Sequence, residues 1–356
     1  MGSKKDKSNK KGKLPEHLEN QKDFMTCGPD VNFHVNTLTS ANMFRSVGYD
    51  NSWNYEDFKE NFQIEINRLE EDVIEFDMIG IDPAIANSLR RILIAEIPTI
   101  AIEHVFMVNN TSIIQDEVFA HRLGLVPLKI DPKLLVRRAP EEAAAEMNTI
   151  VFKLDVVCKR QGDIVTNDKV YSSQLKWLPM GSEMPDETGC RFASGQAHMF
   201  PIEADHPRPV HSDILLAKMR PGQCIQLEAH CTKGCGKEHA KWSPVSTAWY
   251  RLHPEVVKLK EPSAEVAAEL VSECPGLFEI VEGQLVVHEA RKHEKVLERL
   301  RRLLENEAVN EAIAYRKRKD HFIFTVESSG ILPPAELLKQ ALQILEAKAD
   351  RLKNCL

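Results

Sequence analysis

A helix that is apolar on two sides most restricts what this chain can become. Residues 77–130 read DMIGIDPAIANSLRRILIAEIPTIAIEHVFMVNNTSIIQDEVFAHRLGLVPLKI and hold a strand end, a helix, a second strand, a turn, a short helix and another strand with almost no slack. Asp82 is a good N-cap and Pro83 suits the first helical position, so the helix start is well specified. The helix runs through Leu89 and Leu93 and is stopped near Ile97 by Pro98. Ile85, Leu89 and Ile92 form one stripe, and Ala86, Leu93 and Ile97 a second, which together are broader than one core-facing surface needs. Such a helix is either wholly buried in its own domain or sandwiched between its own sheet and another chain. Arg90 and Arg91 sit within this apolar surround, either as surface charges snorkelling at the helix shoulder or as partner contacts.

The last helix poses the same question. After Pro333-Pro334, residues Ala335, Leu338, Leu342, Leu345, Ala349 and Leu352 repeat at the spacing of a seam between two helices, with small alanines permitting close approach. Leu337 and Ala341 widen the stripe, as a helix packed on its own sheet would require. Periodicity alone leaves both readings open.

Between these helices the pattern is mixed. Residues 1–20 read as a disordered tail carrying Lys4, Lys5, Lys7, Lys10, Lys11 and Lys13, suited to nuclear import, weak phosphate contact or plain solubilisation. Residues 21–61 read as an N-terminal arm, irregular over Gly48–Phe58 and rich in aromatics at Trp53, Tyr55 and Phe58. Phe62, Ile64 and Ile66 alternate with polar residues as a strand with one wet face, and Ile74, Phe76 and Met78 as a second strand. A short helix from Glu117 is capped by Gly124. The stretch of about 131–221 is rich in proline and glycine and reads as a smaller inserted domain. Residues 213–219 and 224–231 read as a hairpin joined at Arg220–Gln223. Ser263 caps a helix over 264–273, residues 294–305 form a charged amphipathic helix, and Phe322, Phe324 and Val326 alternate as a final strand.

Composition narrows the function classes. With 356 residues, 43% of them hydrophobic, the chain can bury sizeable cores, and two domains are expected. No apolar run approaches the roughly 20 residues that span a bilayer, and the N-terminus has no apolar core of a secretory signal, so no membrane association is expected. Eight scattered cysteines fit reduced thiols in the nucleus or cytosol. A net charge of −7 argues against direct, sequence-specific nucleic-acid binding. No phosphate cradle, nucleophile elbow, H-E-x-x-H pair or clustered aspartates occur, so no catalytic set is expected. His230, Cys231, Cys235 and His239 are the one metal candidate, but the paired C-x-x-C of a structural zinc site is missing, and neither metal nor cofactor is expected.

Three long segments carry a family resemblance: DPAIANSLRRILIAEIPTIAIE with FAHRLGLVPL, KEHAKWSPVSTAWYRLHP (237–254), and DHFIFTVESSGILPPAELLKQALQIL (320–345). Together they resemble, in the same order, the alpha-type assembly subunits of multisubunit RNA polymerases, the family of bacterial alpha and archaeal D. The resemblance covers roughly 62–352. It implies an α+β fold: a discontinuous dimerisation domain of antiparallel sheet with packed helices at 62–112 and 224–352, and an inserted smaller α+β domain at 113–223. The polymerase II homologue carries a four-cysteine zinc loop in that insert, and some archaeal ones an iron–sulfur module. Here the insert holds only Cys158 and Cys190, far apart. That departure points to the alpha-like subunit shared by eukaryotic RNA polymerases I and III, with a polymerase II-type subunit that has lost its zinc loop as the alternative.

The resemblance further implies a non-catalytic role in the nucleus, including the nucleolus. The chain would pair with a small alpha-like subunit and dock the largest and second-largest polymerase subunits. Interface residues would be Ile85, Leu89, Leu93, Ile97, Leu338, Leu342, Leu345 and Leu352, with Arg90 and Arg91 near the second-largest subunit. The sequence stops just after the seam helix, so no counterpart of the DNA-binding C-terminal domain of bacterial alpha is expected.

Overall fold

The protein is described by a computed structural model over residues 14–355. The lysines of the basic tail lie outside the described residues. Residues 16–20, assigned above to that tail, belong to a helix over Glu16–Asp23. The chain resolves into two compact units, each assembled from separated segments.

One unit comprises residues 14–67, Glu75–Asn87 and Tyr250–Phe324. Its framework is a six-stranded sheet in the order Asn32–Phe33, Phe24–Cys27, Ile313–Ser328, Val73–Ile79, Gln63–Leu69, with Val245–Lys258 also pairing with the long Ile313–Ser328 strand. The alternating apolar residues of 74–78 and 322–326 come together as expected from their period of two. Phe76 stacks on Phe324 at a centroid distance of 5.1 Å, and Tyr250 closes on Phe324 at 5.2 Å. A separate core gathers Leu270, Leu277, Leu297, Leu300, Val309 and Ile313 beneath the helices Ala264–Glu273 and Glu294–Leu303. Ser263 caps the first of these by accepting from Val266 N.

Two features of this unit differ from the sequence expectation. Gln63–Leu69, at the edge of the sheet, is exposed along its whole length, not on one face only, because the described residues pack over neither of its faces. The arm also contains a helix, Tyr55–Asn61, started by the Asn54 side chain accepting from Glu56 N at 3.0 Å.

A buried polar knot ties the strands to a loop. Asp77, 1% exposed, accepts from Arg291 Nη1 on Oδ2 at 2.7 Å and from Asn67 Nδ2 on Oδ1 at 2.8 Å, and His321 Nε2 lies 2.7 Å from the same Oδ2. Arg291 reaches Glu75 as well, at 2.7 Å. His253 stacks on His321 with ring centroids 4.3 Å apart, and its buried Nδ1 has no hydrogen-bond partner among the described residues.

The other unit comprises Arg68–Ile74, Ser88–Trp249 and residues 325–355. It is built on a four-stranded antiparallel sheet in the order Lys176–Trp177, Ile150–Val157, Cys224–Cys235, Pro98–Asn110. Ile100, Ile102, Phe152, Leu154, Ile225 and Leu227 fill its core with Phe119 and Leu123 of the Asp116–Gly124 helix. Gly124 is the last residue of that helix, and the cap is Leu125 in right-handed conformation, so Gly124 does not act as the left-handed cap. The expected hairpin of 213–219 with 224–231 does not form. Leu215–Lys218 pairs instead with Lys169–Tyr171. The Arg220–Gln223 turn is tied to Cys158, whose N–H donates to Gln223 O and whose carbonyl accepts from Gly222 N, both at 2.9 Å. Held there, the chain changes sheets instead of folding back.

Candidate subunit interface

The first long helix spans Pro83–Ala95 and starts as its sequence dictates, with Asp82 Oδ1 accepting from Ala84 N at 2.7 Å. Ala86, Leu89, Ile92 and Leu93 are buried, as is Ile97 just beyond the helix. Its C-terminal end is pinned: Lys237 N donates to Ala95 O at 2.8 Å, and a Cβ on Gly236 would come within 2.2 Å of Ile94 O. Among the residues expected at an interface, Leu89, Leu93 and Ile97 are thus covered by the chain itself, while Ile85 retains 38% exposure. Arg91 is exposed, and Arg90 is half-buried and engaged within the chain.

The last helix, Pro334–Cys355, divides its apolar residues between two directions. Pro334, Leu337 and Ala341 are buried. Leu338 and Leu345 are half-buried, Leu342 is 40% exposed and Leu352 64%. The residues that seemed to widen the stripe are therefore its inward side, and the seam-spaced leucines form a second stripe that the chain covers only in part. Two ion pairs hold this helix: Lys133 with Glu336 at 2.8 Å, and Lys348 with Glu96 just past the first helix. Hydrogen bonding to Lys133 keeps the Glu336 carboxyl below its usual range, and the same bond raises the Lys133 amine. The Glu96–Lys348 pair, joining the end of one candidate helix to the other, has no signal in the sequence, because it depends on tertiary placement of residues far apart.

A second uncovered surface lies in the other unit. Ile64 and Ile66 of the edge strand are exposed, and Trp53, 72% exposed, packs with Tyr55 and Phe58 at ring distances of 6.3 and 6.0 Å. The aromatic spacing of the arm is legible in sequence, but the outward turn of the edge-strand isoleucines is not.

Cys231 lies wholly buried on the Cys224–Cys235 strand, where burial pushes its thiol far up and keeps it protonated. His230 is buried against Phe106, with burial lowering its pKa. Among the described residues no group of three or more His, Cys, Asp or Glu side chains could hold a metal ion. No described helix is long and apolar enough to cross a membrane.

Comparison with known proteins gives these surfaces a context. The RNA polymerase Rpb3/Rpb11 dimerisation domain matches residues 75–349. The mouse protein named DNA-directed RNA polymerases I and III subunit RPAC1 is 43% identical over 320 residues, covering 86% of this chain and 87% of its own length. The Saccharomyces cerevisiae protein of the same name is 39% identical over 346 residues, covering 92% and 97%. The Dictyostelium discoideum DNA-directed RNA polymerase II subunit rpb3 is 30% identical over 303 residues, covering 80% and 92%. The chain belongs to the RNA polymerase Rpb3/Rpb11 dimerisation-domain family.

Proposed function

We infer that this chain is a non-catalytic, structural subunit of the DNA-directed RNA polymerases I and III and works in the nucleus. The relatives bearing that name match at 38–43% identity, against 30% for the polymerase II subunit. Cys158 and Cys190, both buried and set in different parts of the insert, do not make a four-cysteine zinc loop, which further disfavours the polymerase II-type reading.

Its partner in this reading is a small alpha-like subunit, which covers Leu338, Leu342, Leu345 and Leu352 of the last helix; Ile85 of the first helix is proposed as a partner contact in its own right. One observation carries this: a leucine stripe at seam spacing keeps Leu342 and Leu352 exposed and Leu338 and Leu345 only half-buried, while Leu337 and Ala341 serve the chain's own core. Leu89, Leu93 and Ile97 contribute by fixing the first helix from beneath. Residues 62–112 and 224–352 form the dimerisation part and 113–223 the insert. The assembled pair docks the two largest subunits, with exposed Arg91, and Arg90 beside it, directed to the second-largest. The nucleolus is the site of the polymerase I form.

Affinity purification of the tagged chain, followed by identification of the accompanying proteins, tests this. Recovery of the two large subunits of polymerases I and III with a small alpha-like protein is expected. Recovery of the polymerase II subunits alone would transfer the chain to the other enzyme, and a solitary soluble chain would remove the scaffold role.

A further inference from the structure

A cleft of about 690 Å³ opens beside the Cys224–Cys235 strand, away from the stripes described above in sequence and in chemistry. Its walls bring Arg137 and Arg138 of the loop after residue 134 together with Lys233 and Lys241, and they include two carboxylates, Glu103 and Glu238. The chain as a whole carries a net charge of −7, so a concavity with cations in excess runs against the general trend of the molecule.

The cations are not equally occupied. Arg137 pairs with Glu238, whose other oxygen accepts from Cys235 N at 3.3 Å. Lys241 pairs with Glu103, donates to Ile102 O at 2.9 Å and lies 4.5 Å over the Trp242 ring. Arg138 and Lys233 have no carboxylate within ion-pair distance among the described residues. Arg138 spends only Nε, on the Glu142 carbonyl at 2.8 Å, and Lys233 donates to the Leu135 carbonyl at 3.0 Å. Burial lowers the Lys233 amine, with Asp131 the opposing influence, which is the mark of a cation short of negative charge. The paired members hold the walls in place, and the two remaining cations are left with donors to spare.

We propose that this cleft is a docking site for an acidic peptide segment of another protein, whose Asp or Glu carboxylates are received by Arg138 and Lys233. A guanidinium with both terminal nitrogens unspent matches a carboxylate in two-pronged geometry, and an ammonium adds a point charge beside it. A nucleic-acid backbone suits the site less well. It needs a continuous basic track, whereas this is a bounded cleft with two carboxylates in its wall.

The test uses the full chain carrying a solubility fusion and a fluorescein-labelled hexaglutamate, followed by anisotropy at low and high salt. A hexalysine peptide and a short oligothymidylate serve as comparisons. Salt-sensitive binding of hexaglutamate is expected, with no binding of hexalysine. Arg138→Glu should weaken it by about tenfold or more and Lys233→Met by several-fold, at unchanged thermal melting. Should Arg138→Glu disturb folding, Arg138→Gln removes the charge alone and should still weaken binding. No binding of hexaglutamate overturns the proposal, as does binding indifferent to both substitutions. Oligothymidylate that binds more tightly and displaces the peptide would assign the cleft to nucleic acid instead.

Discussion

Replacing Leu342 by aspartate separates pairing from folding. Leu342 keeps 40% exposure in the chain by itself, whereas Leu337 of the same helix is fully buried. If a partner covers what remains of Leu342, it removes roughly 70 Å² of apolar surface from water, worth about 2 kcal/mol. An unpaired carboxylate shut into the same contact costs about 2 kcal/mol more. The total of about 4 kcal/mol corresponds to a loss of roughly a thousandfold in affinity. Folding of the chain itself should change by no more than about 0.5 kcal/mol, since the aspartate stays wet until a partner arrives. Leu337→Asp should do the reverse, since it places the charge in the chain's own core. Co-expression with the small alpha-like subunit, a pulldown and a thermal melt of each variant read both effects. Leu342→Asp that pairs like the parent, or that melts as low as Leu337→Asp, refutes the assignment of the outward stripe.

Three further outcomes follow from the buried polar groups and the helix end. Arg291→Met strands the Asp77 carboxylate in the interior and should cost about 3 kcal/mol in denaturant unfolding. Adding Asp77→Asn should recover part of that loss, and no recovery would mean that the cost is lost packing and not lost charge. Burial holds His253 and His230 below the ordinary imidazole value of about 6.5, so the unfolded chain binds protons that the folded chain resists. The stability they contribute is complete above about 6.5 and falls away as pH drops below it toward their lowered values; melts across that range should show an acid limb that His253→Gln makes shallower. Gly236→Ala drives a Cβ against Ile94 O and should lower the melting temperature, whereas Gly222→Ala, with open space around it, should cost only the strain of its positive φ. Equal losses from the two glycines would mean that the first helix is not held at its end in this way.

Local chemistry made much of this fold readable. Asp82, Pro83 and Pro98 delimit the first helix, Ser263 starts another, and the alternation of 74–78 and 322–326 finds its counterpart in the Phe76–Phe324 stack. Long-range pairing was not readable. The 213–219 segment carries a good hairpin turn after it, yet Cys158 captures that turn and sends the next strand to a different sheet. An alternating strand over which the described residues pack on neither face looks in sequence like one with a covered face, which is why the outward face of Ile64 and Ile66 went unseen. At the candidate interface the seam spacing was visible, but its division into an inward and an outward stripe depends on which neighbours Leu337 and Ala341 meet. The excess of cations in the Arg138 cleft arises from loop placement and leaves no periodic trace.

The uncapped border at Gln63–Leu69 has a consequence for supply. Its backbone groups and outward Ile64 and Ile66 offer a template along which a second copy can zip. Pairing of copies along this border grows with the square of their concentration, so a crowded population of bare chains loses material to edge-to-edge association long before unfolding sets a limit.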